Sequence, residues 1–194
     1  MRRSLVSGLF ALVLGVGCGP GLPGVYVDAH DTWTREEAVY HGFETSLKVR
    51  ATLKTEAFRR AYVEAYGEIF ALDPGTKARL LEMELADEQR ALVILAAVYT
   101  PEYSMSNLTP SKGIWEVRLE NGRGGVSRPT VRRINTRSPT WARLLPDLST
   151  HEGLYELRFE RITDDGTPFA KSGDTLELII AGAPAHARLN WAVP

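Results

Sequence analysis

The chain has 194 residues, 44% of them apolar and 24% charged, with 23 Lys+Arg against 24 Asp+Glu and a net charge of −1. That balance excludes a chain kept unfolded by a shortage of apolar residues, and it excludes a globally basic nucleic-acid binder. The length fits one domain, and a single cysteine leaves no intramolecular disulfide to hold it together.

Arg2 and Arg3 precede an apolar run from Leu5 to Val16, broken only by Ser7, Gly8 and Gly15, and Gly17-Cys18 follow. A basic start, an apolar centre and small residues at the end describe an export signal. As a helix this run rises about 18 Å, short of the roughly 30 Å of a bilayer core, so a stable membrane span is the weaker reading. Leu14-Gly15-Val16-Gly17-Cys18 resembles the bacterial lipoprotein signal. It departs from that family's pattern at Gly15, where leucine is usual. The resemblance implies that residues 1–17 are removed as a signal peptide. It further implies that Cys18 is acylated, palmitate being a typical chain, and becomes the first residue of the mature protein. Gly19, in place of an aspartate, fits the outer membrane as destination. One acyl chain binds a bilayer marginally and two or more bind it stably. Removal of Arg2 and Arg3 leaves 21 basic residues against 24 acidic ones.

Residues 18–30 read as a lipidated tether, rich in Gly and Pro over its first half. Asp28, His30 and Asp31 lie near its end. On a strand Asp28 and His30 would share a face, which could hold a divalent ion only with a further ligand from elsewhere, and a polar segment facing water is the simpler reading. From His41 to Leu53 the residues alternate, with Phe43, Leu47, Val49 and Leu53 on one face and Glu44, Lys48 and Arg50 on the other, which predicts a half-buried strand.

The period then changes. Ala57, Phe58, Ala61, Tyr62, Ala65, Tyr66, Ile69 and Phe70 form the stripe of an amphipathic helix. Asp73-Pro74 opens a second helix towards Arg90, with Ala78, Leu81 and Leu85 inward. From Ala91 onward the chain reads as strands: Ala91–Thr100, continuously apolar and hence central, then Ile114–Glu120, Val126–Ile134, Leu154–Ile162, a face at Leu176, Leu178 and Ile180, and Ala187–Val193. Asn121-Gly122, Gly124-Gly125 and Asp164-Asp165-Gly166 mark turns. The whole is mainly β. Residues 31–194 form one antiparallel β-sandwich, immunoglobulin- or transthyretin-like, with an αα-hairpin inserted after the first strand at about 55–90. Ser127 to Arg132 is similar to an early strand of transthyretin-like lipoproteins that scaffold secretion complexes, a likeness confined to that short stretch.

No metal, cofactor or catalytic motif emerges. The four histidines are not spaced for zinc, Asp164-Asp165-Gly166 lacks the run of a calcium loop, and no Gly-x-Ser-x-Gly or phosphate-binding glycine loop occurs. A noncontiguous site built from Ser104, Ser106 or Ser111 with His151 stays open as the alternative, that of a small hydrolase or carbohydrate-active domain. Charge is the most uneven feature. Arg118, Arg123, Arg128, Arg132, Arg133, Arg137 and Arg143 face only Glu120, whereas Leu144–Asp165 is acidic. Either the arginines form an anion-binding patch, or neighbouring strands pair across the ladder; opposite signs in successive strands favour pairing. Pro101–Gly113 is a long irregular stretch carrying Tyr103, Met105 and Leu108, and Trp33 and Trp141 lie outside the clearest strands. The candidate binding residues are therefore Arg128, Arg132, Arg133, Arg137, Tyr103 and Met105, with Cys18 for lipidation. The expected role is a non-enzymatic binding or accessory module. Its expected partners are the bilayer, through acylated Cys18, and an envelope protein or anionic polymer, not nucleic acid.

Overall fold

A computed structural model describes residues 21–145 and 147–193; the signal-like run and Cys18 lie outside the described residues. The segment expected to be a tether is helical from its middle onward. α1 (Gly24–Trp33) buries Tyr26, whose hydroxyl donates to the Leu144 carbonyl at 2.8 Å. On a helix Asp28 and His30 point about 200° apart, so the shared face expected of a strand does not form. Among the described residues no cluster of three metal-ligating side chains occurs.

β1 (Thr34–His41) and β2 (Glu44–Leu53) form an antiparallel hairpin. The sequence hides β1 because it is a half-buried edge strand whose Arg35, Glu36 and Glu37 interrupt any alternation. On β2, Leu47, Val49, Ala51 and Leu53 point inward and are buried. Phe43, expected on that same face, is instead fully exposed in the turn beside Gly42, whose φ of 63° suits glycine.

The helical insertion thus follows the second strand. α2 (Glu56–Ile69) starts at Thr55, whose hydroxyl accepts from the Phe58 N–H at 3.3 Å. Phe58, Ala61 and Ala65 pack on Tyr26 and Leu144. The helix closes with the Leu72 N–H on the Gly67 carbonyl at 2.9 Å and the Ala71 N–H on the Glu68 carbonyl at 3.3 Å. That closure forces Ala71 to a φ of 48°.

α3 (Pro74–Arg90) is capped by Asp73, and its attachment differs from the one expected. None of its residues is buried: Ala78 is exposed, and Leu81 and Leu85 are only half-covered. Ion pairs hold it. Arg59, wholly buried, reaches Glu84 at 2.5 Å and Asp87 at 2.9 Å. Lys54 pairs with Glu84 at 3.0 Å, Arg158 with Asp87 at 2.6 Å and Arg161 with Glu88 at 2.9 Å.

β3 (Ala91–Tyr99) is buried along almost its whole length because both its faces are covered. A 3-10 turn (Tyr103–Ser106) leads to β4 (Glu116–Asn121). The stretch expected as one strand from Val126 splits into β5 (Val126–Ser127) and β6 (Thr130–Ile134), which belong to different sheets. Pro129 lies in the break, where its missing N–H costs no ladder bond. α4 (Pro139–Leu144), β7 (Gly153–Glu160), β8 (Thr175–Ala181) and β9 (His186–Ala192) complete the chain.

The fold is mainly β and forms a sandwich of two antiparallel sheets, ordered β1-β2-β3-β7-β6 and β5-β4-β8-β9. One core joins their inner faces: Leu47, Ile94, Leu157 and Phe159 from the first meet Leu119, Leu178, Leu189 and Trp191 from the second. Each such side chain contributes about 1.5–3 kcal/mol through burial. The outer face of the five-stranded sheet buries Leu95, Ala97, Ile134 and Leu154 against Trp141, Leu145 and Leu148. The outer face of the four-stranded sheet is charged, and its single buried apolar residue among those described, Ile179, sits between Arg118 and Arg188 in the ladder, under their aliphatic stems. No helix among the described residues is long and apolar enough to cross a membrane.

Candidate functional site

Two connections, β3 to β4 and β6 to β7, meet at one end of the five-stranded sheet, because β3 and β6 finish where β7 begins. Between them lies a cleft of about 560 Å³. Tyr103 lines it from the loop after β3, Thr136 and Arg137 from the loop after β6, Ala142 from α4, and Leu148 to His151 from the approach to β7.

The loop carrying Tyr103 is not a loose surface excursion. Leu108 and Ser106 within it are wholly buried, the Thr100 hydroxyl donates to the Glu102 carbonyl at 2.6 Å, and the Trp115 indole N–H donates to the Met105 carbonyl at 2.5 Å. At Gly113 a β-carbon would stand 2.0 Å from the Asn107 carbonyl oxygen, so the loop closes only with glycine there. Tyr103 is therefore presented on a pinned support, with its side chain half exposed.

Arg133 is the partner of that support. Its Nη2 donates to the Tyr103 hydroxyl at 2.5 Å, and its guanidinium carbon lies 5.3 Å from the Tyr103 ring centroid and 5.9 Å from that of Tyr155. An arginine held over aromatic rings keeps its charge while its planar fork is pre-oriented. Among the described residues no carboxylate forms an ion pair with Arg133 or Arg137. Beneath them, the Tyr155 hydroxyl is buried and lacks a hydrogen-bond partner in ordinary geometry. Burial raises its pKa, against the opposing field of Arg133. Ser149 accepts the His151 backbone N–H at 3.2 Å, and its own N–H donates to Glu152 at 2.7 Å, which fixes the lower wall.

The six candidate binding residues thus divide. Tyr103 and Arg137 line the cleft, and Arg133 bonds the Tyr103 hydroxyl beside it. Met105 contributes its carbonyl to Trp115 and keeps a partly exposed side chain. Arg128 and Arg132 point elsewhere and are consumed by pairing, with Glu116 at 3.0 Å and with Glu156 at 2.9 Å. The Arg132 pair is the cross-strand one, since the two residues are directly opposed in the ladder. Arg118 pairs with Glu120 at 2.7 Å and Arg123 with Asp174 at 3.2 Å. Four arginines of the basic stretch are therefore held in ion pairs, whereas Arg137 lines the cleft and Arg133 holds the Tyr103 hydroxyl beside it. Ser106 donates its hydroxyl to the Tyr103 carbonyl at 2.8 Å, and among the described residues no serine hydroxyl bonds a histidine ring. Trp33 accepts the Trp191 indole N–H at 2.8 Å through its carbonyl, and Trp141 packs on the outer face of the sheet.

Thr136, Ser149 and Thr150 were not singled out by the sequence. They are short polar residues in irregular segments, where neither period nor motif distinguishes a cleft wall from an ordinary loop.

A second cleft, of about 540 Å³, opens at Trp33, Leu53, Leu92, Leu176 and Val193 near the start of α2. Its charged rim is neutralised in place: Arg60 pairs with Glu56 at 2.8 Å and Arg161 with Glu88 at 2.9 Å, and Lys54 is held by Glu84.

The fold is similar to that of a novel protein of unknown function from Burkholderia pseudomallei K96243, with 13% identity, a TM-score of 0.45, and coverage of 84% of this chain and 81% of that one. A DUF4426 family protein from Pseudomonas aeruginosa PAO1 is similar at 12% identity and a TM-score of 0.33, over 80% of this chain and 90% of that one. No family model matches the chain, and no curated protein matches it in sequence.

Proposed function

We propose that the chain is a membrane-anchored envelope lipoprotein, held at the outer membrane by acylated Cys18, that works as a non-enzymatic binding module. The observation that carries the binding role is a cleft lined by Tyr103 and Arg137, with Arg133 bonded to the Tyr103 hydroxyl beside it and neither arginine in an ion pair with a carboxylate among the described residues. Anions are recognised by such forks, and carboxylates or phosphates of an envelope partner have the matching geometry. The sequence before the fold supports the anchor. Only five residues separate Cys18 from α1. They reach at most about 18 Å when fully extended, which keeps the domain beside a bilayer to which Cys18 is attached.

Two measurements test the reading. Radioactive palmitate should label the full chain and fail to label Cys18→Ala; equal label in both removes the anchor. Cross-linking in intact envelopes followed by capture should recover a protein or polymer partner with the native chain and lose it with the double variant Arg133→Ala/Arg137→Ala. Capture that is indifferent to the double variant moves the binding role away from this cleft.

A further inference from the structure

The cleft beside Tyr103 differs from the cleft at Trp33 in one respect that bears on its ligand. At Trp33 every rim cation is matched by a carboxylate, and the walls are mostly apolar. At Tyr103 the lining arginine, Arg137, has no ion-pairing carboxylate among the described residues, and hydroxyl residues are frequent: Thr136, Ser149 and Thr150 share the lining with Tyr103 and His151. Hydroxyls and an imidazole both donate and accept, so they suit a ligand that itself carries many hydroxyls. An aromatic ring on the wall offers a flat apolar surface with a polar tip. The Arg137 guanidinium favours an anionic substituent on the same ligand. A cleft of about 560 Å³ is ample for a single sugar ring and part of its neighbours.

We infer that this cleft binds one anionic sugar unit, its carboxylate or phosphate gripped by Arg137 and its hydroxyls met by Ser149, Thr150 and His151, with Arg133 holding the Tyr103 ring in place beside it. The inference rests on reading the cleft as the binding site and narrows the ligand to an acidic saccharide. An acidic peptide is the less fitting occupant. It would use the arginine and leave the hydroxyls of Ser149 and Thr150 without matching groups on the ligand.

The test is calorimetric titration of the full chain in detergent micelles with glucuronate, glucose 6-phosphate, glucose, inorganic phosphate and a hexaglutamate peptide. At least one acidic sugar should bind about tenfold or more tightly than glucose, phosphate or the peptide, and Arg137→Ala should weaken it by about tenfold or more, the ratio expected from losing a charge-assisted hydrogen bond. Preference for glucuronate assigns a carboxylate, and preference for glucose 6-phosphate assigns a phosphate. Acidic sugars that bind no better than glucose, binding indifferent to Arg137→Ala, or tightest binding of the peptide each overturn the inference. The His151 ring proton signals of the unmutated chain give a second readout that needs no variant: saturable shifts with the acidic sugar are expected, and their absence counts against it. If the envelope capture described above still depends on Arg133 and Arg137 while no sugar binds, this inference fails and the binding-module reading stands. If neither depends on them, both fail.

Discussion

The two sides of the five-stranded sheet are held by different physics. Inward, Leu47, Ile94, Leu157 and Phe159 meet the second sheet in an apolar core with no charge in it. Outward, at α3, no residue is buried, and contact is made by Arg59, Lys54, Arg158 and Arg161 against Glu84, Asp87 and Glu88. An apolar interface is indifferent to pH and tolerant of small shifts. An ionic one is directional and works only while its carboxylates are charged. The sheet therefore joins a permanent face to one that is conditional where α3 meets it.

The largest expected effect sets the scale for the permanent face. Phe159→Ala removes a ring that is almost wholly buried, and should lower unfolding free energy by about 3–5 kcal/mol at neutral pH. The loss should persist in urea titrations at pH 3.

Arg59→Ala sharpens the contrast. It strips the buried cation from Glu84 and Asp87, and one-sided removal of a buried pair costs about 3 kcal/mol or more. Here the penalty should shrink in acid. Burial pushes Asp87 up, but the bonds from Arg158 and Arg59 outweigh it and hold its pKa below the ordinary value. A depressed carboxylate stabilises the folded state above its unfolded pKa, and that stability is lost as pH falls through the folded one. Native chain and variant should thus converge as the pH falls through the depressed pKa of Asp87, below the ordinary carboxylate range. A pH-independent penalty for Arg59→Ala would erase the distinction between the two faces.

The smallest effect lies at the tip of the helical hairpin. Ala71 holds a φ of 48°, a conformation that costs an L-residue about 1 kcal/mol and glycine almost nothing. Ala71→Gly should raise the thermal midpoint by a few degrees, offset in part by the greater freedom of glycine in the unfolded chain. A fall in the midpoint would show that the freedom lost on folding dominates.

Much of this architecture was legible in the residues. Alternation marked β2, β4, β7 and β9, and the continuous apolar run of Ala91–Val98 reflected a strand covered on both sides. The elements that stayed hidden share one cause: neither carries a periodic apolar face. β1 is an edge strand whose charges pair across to β2, as Glu36 does with Lys48 at 3.0 Å. α1 has one deep anchor, Tyr26, which no period announces. Likewise, a cluster of arginines is visible in the sequence, but its division into paired and unpaired members is not. Arg132 and Arg133 are adjacent, and the strand's alternation alone sends one to Glu156 and the other to Tyr103.

β2 and β3 are neighbours in the sheet, yet the helical hairpin of α2 and α3 separates them along the chain. Condensation of two local helices ahead of strand pairing shortens the span that must be closed, so a long detour can behave kinetically like a short turn. The same arrangement makes the bend at Ala71–Asp73 a natural splice point, where a reporter domain could be inserted without disturbing the ladder on either side.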